Sequence, residues 1–278
     1  MRTPGLAVCL ILTISVANVH PVGAQSVSDE TANDLLTPFR TAALERWEKD
    51  IQKLEARNET ESHPDDAILF LGSSSIRRWD RIALDMSPYQ PIQRGYGGSK
   101  YSDIAVFAER LIHPHTYRAL VIFVGNDIAG KSTDNTVEQV EQCLQHIVRI
   151  AKDHQPDSPI LLIEVTPNEK RWAVWPKVRK LNAAIREFAL TTPGTYFIPT
   201  SGNYLNPEGA PRSELFGSDQ LHLNEEGYRL WSSLIRRRLD QVLRLEAEFR
   251  SRPPATELEA EGTVTPSSAK KGETGVNN

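Results

Sequence analysis

Residues 67–75 read Ala67-Ile68-Leu69-Phe70-Leu71-Gly72-Ser73-Ser74-Ser75, and this stretch decides the fold. Five consecutive apolar residues without polar alternation describe a strand buried on both faces. The run ends at a glycine followed by hydroxyl side chains, which suits a chain passing from a strand into a turn and helix cap. Strands covered on both faces belong to parallel sheets flanked by helices, so similar runs should recur at strand–helix–strand spacing.

They recur four times. Ala119-Leu120-Val121-Ile122-Phe123-Val124 and Pro159-Ile160-Leu161-Leu162-Ile163-Glu164-Val165 repeat the first pattern strongly. Pro91-Ile92-Gln93 is a weaker run, and Thr195-Tyr196-Phe197-Ile198 is the fifth. Amphipathic stretches separate them, with Val137, Val140, Leu144, Ile147 and Val148 on one face and Val178, Leu181, Ile185 and Phe188 on another. The pattern predicts a three-layer α/β domain with a five-stranded parallel sheet. A last helix should start at the Asn224 cap, carry Glu225 and Glu226 in its first turn, and run to about Glu248.

The flanks differ in character. Phe39, Ala43, Trp47, Ile51 and Leu54 recur at helical steps, predicting a helix within residues 25–66 that leans on the main domain at 67–248. Residues 1–24 have the order of an export signal: Arg2, a mostly apolar Leu6 to Val19, then the small residues of Val22-Gly23-Ala24. Thr13, Ser15 and Asn18 interrupt the apolar part, making it a poor membrane span. The mature chain is therefore expected to be secreted or periplasmic, without a transmembrane span. Beyond Arg252 the sequence turns to Pro, Glu, Thr, Ser, Gly and Lys, and 249–278 is expected to be disordered. No internal repeat is present.

Composition narrows the partners. Of 278 residues, 39% are hydrophobic and 24% charged, with a net charge of −4. That balance argues against nucleic acid, whose phosphates need a basic surface, and against a polybasic membrane anchor. A small or neutral partner fits better. Cys9 lies in the expected signal, so Cys143 would be alone in the mature chain, unable to form an intramolecular disulfide and best read as a buried small hydrophobe. No Cys/His cluster has zinc-site spacing, and no metal or other cofactor is expected.

Open parallel sheets bind ligands at the carboxyl ends of their strands. The first strand is followed there by Gly72-Ser73-Ser74-Ser75-Ile76, the second by Gly95-Tyr96-Gly97-Gly98-Ser99, and the third by Gly125-Asn126-Asp127. Asp219-Gln220-Leu221-His222 stands just before the last helix. Singly these are a helix cap, a tight turn, a turn-forming pair and a surface histidine. Together they fill the roles of acyl-transfer chemistry. A serine hydroxyl at a helix start can attack a carbonyl, and a carboxylate three residues from a histidine can orient it as base. Backbone N–H groups near glycines, with the Asn126 amide, can receive an oxyanion. Arg171, Trp172 and Trp175, after the fourth strand, are candidates for the substrate-binding rim, where aromatic rings can stack on sugars or pack on the sheet.

These four blocks, in this order, resemble the SGNH hydrolase (GDSL-like) superfamily over about residues 67–245. The wording Gly-Ser-Ser-Ser-Ile-Arg, with Asn126-Asp127-Ile128-Ala129 and Arg171-Trp172, is similar to a bacterial subgroup of GDSL-like lipase/acylhydrolases. The resemblance implies a flavodoxin-like α/β/α sandwich. It also implies Ser74 as nucleophile, His222 as general base, Asp219 as its partner, and an oxyanion hole of Ser74 N–H, Gly98 N–H and the Asn126 side chain. Two departures stand out: Ser73 occupies the place of the family's aspartate, and Val124 that of the glycine in Gly-x-Asn-Asp. The expected activity is hydrolysis of short acyl esters, acetyl groups on carbohydrate among them; no long apolar lid for a true lipase is apparent. Two other readings stay open. A metal phosphoesterase would need further ligands, and His113, His115 and His154 do not obviously serve. An inactive glycan-binding protein would keep only the fold.

Overall fold

The structure, a computed structural model, describes residues 29–251. The expected signal at 1–24 and nearly all of the expected disordered tail lie outside the described residues. Among the described residues, no helix is long and apolar enough to cross a membrane.

The elements in chain order are α1 (Asp29–Arg57), β1 (Ile68–Gly72), α2 (Ser74–Arg77), α3 (Ile82–Asp85), β2 (Pro91–Gly95), α4 (Tyr101–Val106), α5 (Ala108–Ile112) and β3 (Ala119–Phe123). They continue with α6 (Val137–His154), β4 (Ile160–Ile163), α7 (Trp175–Thr191), β5 (Thr195–Ile198), α8 (Ser201–Tyr204) and α9 (Glu225–Arg250). Short 3₁₀ turns occupy Glu169–Val174 and Ser213–Leu215. All five strands are parallel, in the order β2-β1-β3-β4-β5.

The unbroken apolar runs supply both faces of this sheet. In β1, Leu69 and Leu71 join the core beneath α1, α4, α6 and α7, whereas Ile68 and Phe70 join the core beneath α9. Side chains alternate across a strand, so one continuous run fills two cores at once. The order reverses beside β1, which opens a crevice between the carboxyl ends of β1 and β3, the usual ligand site of such sheets.

The helix read from Phe39 to Leu54 is the middle of α1. Ala43, Trp47, Ile51 and Leu54 are buried and Phe39 is partly buried against the same core. Arg110 of α5 ties it down through Glu48 and Glu55. The fully buried Arg94 of β2 does the same at its end, donating to Asn58 and Glu61. At α9, the Asn224 side chain accepts the Gly227 N–H at 2.9 Å, as its cap position predicts. Helices α2 to α5 and α8 carry no clear periodicity because each is only four to six residues long.

Candidate active site

Strand β1 ends where it presses hardest on β3. A Cβ on Gly72 would stand 2.1 Å from the Phe123 carbonyl oxygen, so only glycine fits. The Ser73 N–H then donates to that carbonyl at 3.1 Å, while the Ser73 carbonyl accepts the N–H groups of Ile76 and Arg77. Ser73 is buried and serves the turn. Ser74 follows at the start of α2, and among the described residues it is the one of the three serines whose hydroxyl meets a histidine. His222 Nε2 lies 2.9 Å from Ser74 Oγ.

His222 comes from a tight loop. The Gly217 N–H donates to the His222 carbonyl at 2.8 Å, and Phe216 pairs with Leu223 in an antiparallel bridge. Inside the loop, Asp219 Oδ1 accepts the N–H groups of Leu221 and His222, each at 3.0 Å. Its Oδ2 lies 2.7 Å from His222 Nδ1. Partial burial opposes the Asp219 charge, but these N–H donors outweigh it and hold the carboxyl well below the usual carboxylate range. An ionised Asp219 keeps the proton on Nδ1, so Nε2 presents its lone pair to Ser74. Gln220 must adopt a left-handed conformation, φ 52°, at a cost of roughly 1–2 kcal/mol for a non-glycine residue. Its carbonyl accepts the Lys170 N–H at 3.1 Å and its amide donates to Gly217 at 3.0 Å, which fixes the turn.

The opposite wall comes from the loops after β2 and β3. Gly97 has φ 35°, and a Cβ there would lie 1.9 Å from the Trp47 ring of α1. Trp47 also meets Tyr96 edge-on at 5.5 Å, so the N-terminal helix braces this loop. Gly98 faces the Asn126 amide, with Nδ2 3.8 Å from the position of a Cβ on Gly98. Asn126 Nδ2 donates to the Ser99 carbonyl at 3.2 Å, leaving its second hydrogen for the pocket. Val124, in the place of the family's glycine, is fully buried in the core, and the loop still delivers Asn126 to the pocket wall.

Asp127 points inward. It accepts the Tyr101 N–H at the start of α4 and the Asn135 amide, locking the two loops together. Burial pushes its carboxyl up to about 7, despite those hydrogen bonds.

The pocket beside Ser74 is narrow, with a volume of about 30 Å³. Phe123, Val165, Phe216, Leu223 and Trp231 supply its apolar wall; Ser74, Asn126, Asn168, Arg171 and His222 supply the polar one. Arg171 thus lines the pocket, but its guanidinium is engaged with Gly125 and Asn126. Trp172 and Trp175 stack on each other at 6.0 Å and line a separate, larger groove with Arg179, Tyr196 and Arg238. The structure does not bring them to the Ser74 pocket. Sequence reading passed over Arg78, which lies 3.4 Å from Asp219 Oδ2, and Asn168, whose side chain accepts the Arg171 N–H at 3.1 Å. The four-residue spacing of Ser74 and Arg78 and the Pro167-Asn168 turn were the available signals.

His113 and His154 have rings 5.1 Å apart, and His154 bonds the His115 carbonyl. All three belong to the segments around the amino end of β3, away from Asn126 and His222. Among the described residues, no group of three His, Cys, Asp or Glu side chains is arranged to hold a metal ion. Cys143 is buried on α6, and burial pushes its thiol up to about 12.

Sheet order and pocket together define an α/β/α ester hydrolase of the SGNH fold. The chain belongs to the GDSL-like lipase/acylhydrolase family, whose pattern it matches over residues 71–230. Solved structures with the same fold include a candidate platelet activating factor from Streptococcus pneumonia, with 22% identity, a TM-score of 0.62, and coverage of 76% of this chain and 100% of that one. A GDSL-like lipase from Bacteroides thetaiotaomicron has 18% identity and a TM-score of 0.58, covering 69% of this chain and 97% of that one. A candidate acylhydrolase from Bacteroides fragilis has 20% identity and a TM-score of 0.59, covering 69% and 96%. At these identities the likeness bears on the fold. No curated protein matches the chain.

Proposed function

We propose that the protein hydrolyses short-chain carboxylic esters through Ser74, His222 and Asp219. The observation that carries this reading is the unbroken chain of contacts, Asp219 to His222 at 2.7 Å and His222 to Ser74 at 2.9 Å. His222 Nε2 takes the Ser74 hydroxyl proton as Oγ attacks the ester carbonyl. The Ser74 and Gly98 N–H groups and Asn126 Nδ2 receive the developing oxyanion. Collapse of the tetrahedral intermediate expels the alcohol, protonated by His222, and leaves an acyl-serine. Water, deprotonated by His222, then releases the acid.

The narrow apolar wall favours an acetyl group over a long chain, since drug-sized ligand pockets span about 300–1,000 Å³. The proposed leaving group is a carbohydrate or another polar alcohol. We further propose export through cleavage near residue 24, leaving a helical extension at 25–66 before the hydrolase domain at 67–248. N-terminal sequencing of exported protein tests this; a mature chain still beginning at Met1 rejects cleavage.

The deciding experiment is turnover of p-nitrophenyl acetate, butyrate and octanoate by residues 25–278, beside Ser74→Ala, with and without EDTA. Acetate turnover lost in the variant and untouched by chelator is the expected result. Equal turnover by Ser74→Ala overturns the nucleophile, and loss with EDTA overturns the mechanism in favour of metal chemistry.

A further inference from the structure

Arg171 presents an unusual arrangement for a pocket-lining arginine. It is largely enclosed, and desolvation pulls its guanidinium below the usual arginine range. Among the described residues, Arg171 itself forms no salt bridge to a carboxylate, and Asp134 and Asp127 act on its charge only from farther away. Instead, Nη2 donates to Asn126 Oδ1 at 2.6 Å and Nη1 donates to the Gly125 carbonyl. Burying a charge is costly unless it is well hydrogen-bonded, and here two oxygens, one of them on the Asn126 side chain, take that part.

We infer that Arg171 is a positioning residue, which holds the Asn126 side-chain amide with its oxygen turned away and its Nδ2 turned into the oxyanion site. This rests on the proposed esterase reading. An asparagine amide can flip, exchanging a donor for an acceptor; the Ser99 carbonyl, which accepts one Nδ2 hydrogen, and Arg171 together oppose that flip, which would turn an acceptor on the oxyanion. A guanidinium offers only donors, so it accepts one orientation alone. Two donors in a rigid fork, set on the backbone carbonyl of Gly125 and the side chain of Asn126, also fix the peptide that carries the amide.

The support behind Arg171 is built from the other loop. Asn168 caps the 3₁₀ turn by accepting the Arg171 N–H, and the neighbouring Lys170 N–H donates to Gln220 inside the His222 loop. One short segment therefore braces both the oxyanion donor and the base. A displacement of residues 168–171 should disturb the two together.

The geometry predicts a loss in transition-state stabilisation with little effect on substrate affinity. Arg171→Met should lower kcat by about 10- to 100-fold, less than the full loss of an oxyanion donor, about 100- to 1,000-fold, with KM changed less than about threefold. Arg171→Lys keeps the charge but not the fork, and should recover only part of the loss. The decisive comparison is a double-mutant cycle with Asn126→Ala, on variants shown by circular dichroism and melting to be folded. If Arg171 acts through Asn126, Arg171→Met adds almost nothing once Asn126 is gone. Added guanidinium should restore part of kcat in Arg171→Ala and nothing in Arg171→Ala/Asn126→Ala, which keeps the same cavity. Additive losses, or a raised KM with kcat intact, overturn the inference and make Arg171 a substrate contact. Those outcomes differ from failure of the esterase reading itself, in which Ser74→Ala matches wild type.

Discussion

Asp127 and Asp219 both stand at the carboxyl edge of the sheet, and their surroundings set them to opposite tasks. Asp127 is fully buried, and burial raises its carboxyl to about 7 while it fastens α4 to the loop after β3. The Asp219 side chain is 43% exposed, and the N–H donors of its own loop hold it well below the ordinary range. In the proposed mechanism Asp219 stabilises a transient imidazolium and has to stay charged, so water and N–H donors suit it. A carboxyl that joins two loops does not need its charge. Both accept N–H donors, so the difference teaches that burial set against those donors, and not the sheet edge, decides whether the acid keeps its charge.

The sharpest way to break this comparison is to remove both charges. Asp219→Asn should lower kcat by about a thousand- to ten-thousandfold, because an amide no longer holds Nδ1 protonated and the ring in line. Its melting temperature should fall only modestly, since the hydrogen-bonded charge contributes to the loop but is screened by its exposure. Asp127→Asn should leave kcat within about threefold at pH 7. Its amide oxygen can take the Oδ1 position, which accepts both the Tyr101 and the Asn135 donors. Ester turnover and thermal melts on both variants decide the matter. Equal losses of kcat in two folded variants would show that the aspartates do the same work.

A second, smaller effect sharpens the comparison through pH. The folded pKa of Asp127 is raised, so between about 4 and 7 the native state binds its proton more tightly than the unfolded chain. Its contribution to stability is complete below about 4 and is lost as pH rises through about 7. His115 works the other way. Burial, aided by the nearby Arg94, lowers its ring to about 4, so its contribution is lost as pH falls from about 6.5 toward 4. The whole-protein curve mixes the two, and the difference between wild type and Asp127→Asn isolates the first. The variant should gain in melting temperature relative to wild type as pH is raised from 5 to 8. A constant difference across that range would mean that Asp127 ionises as an ordinary carboxyl.

The fold was legible because β1, β3 and β4 are buried on both faces and therefore lack polar interruptions. The pairing of Asp219 with His222 was legible too, because a three-residue turn brings carboxylate and imidazole together without long-range information. Arg171 was visible in the sequence as a pocket residue but not as a clamp on Asn126, since those two are 45 positions apart and no periodicity links them. Trp172 and Trp175 show the limit of sequence proximity as a guide to position. They follow Arg171 within four residues, yet the turn carries them to the other groove, where they stack together. The Trp47–Gly97 contact was equally hidden, because a glycine pair announces a turn but not the ring above it.

Arg78 carries the smallest expected effect, and it separates two kinds of support for the same aspartate. Its Nη1 lies 3.4 Å from Asp219 Oδ2, with half of the arginine side chain exposed. An ion pair so placed is screened by water and salt and contributes little. The backbone N–H groups of Leu221 and His222 are shorter, fixed by the loop and present at any ionic strength. If they hold Asp219 in place, Arg78→Ala should change kcat by less than about fivefold at 0.15 M salt, and raising salt should narrow the gap to wild type further. Steady-state ester hydrolysis from 0.02 to 1 M salt provides the test. A loss comparable with that of Asp219→Asn, unmoved by salt, would transfer the support of the aspartate from the loop backbone to Arg78.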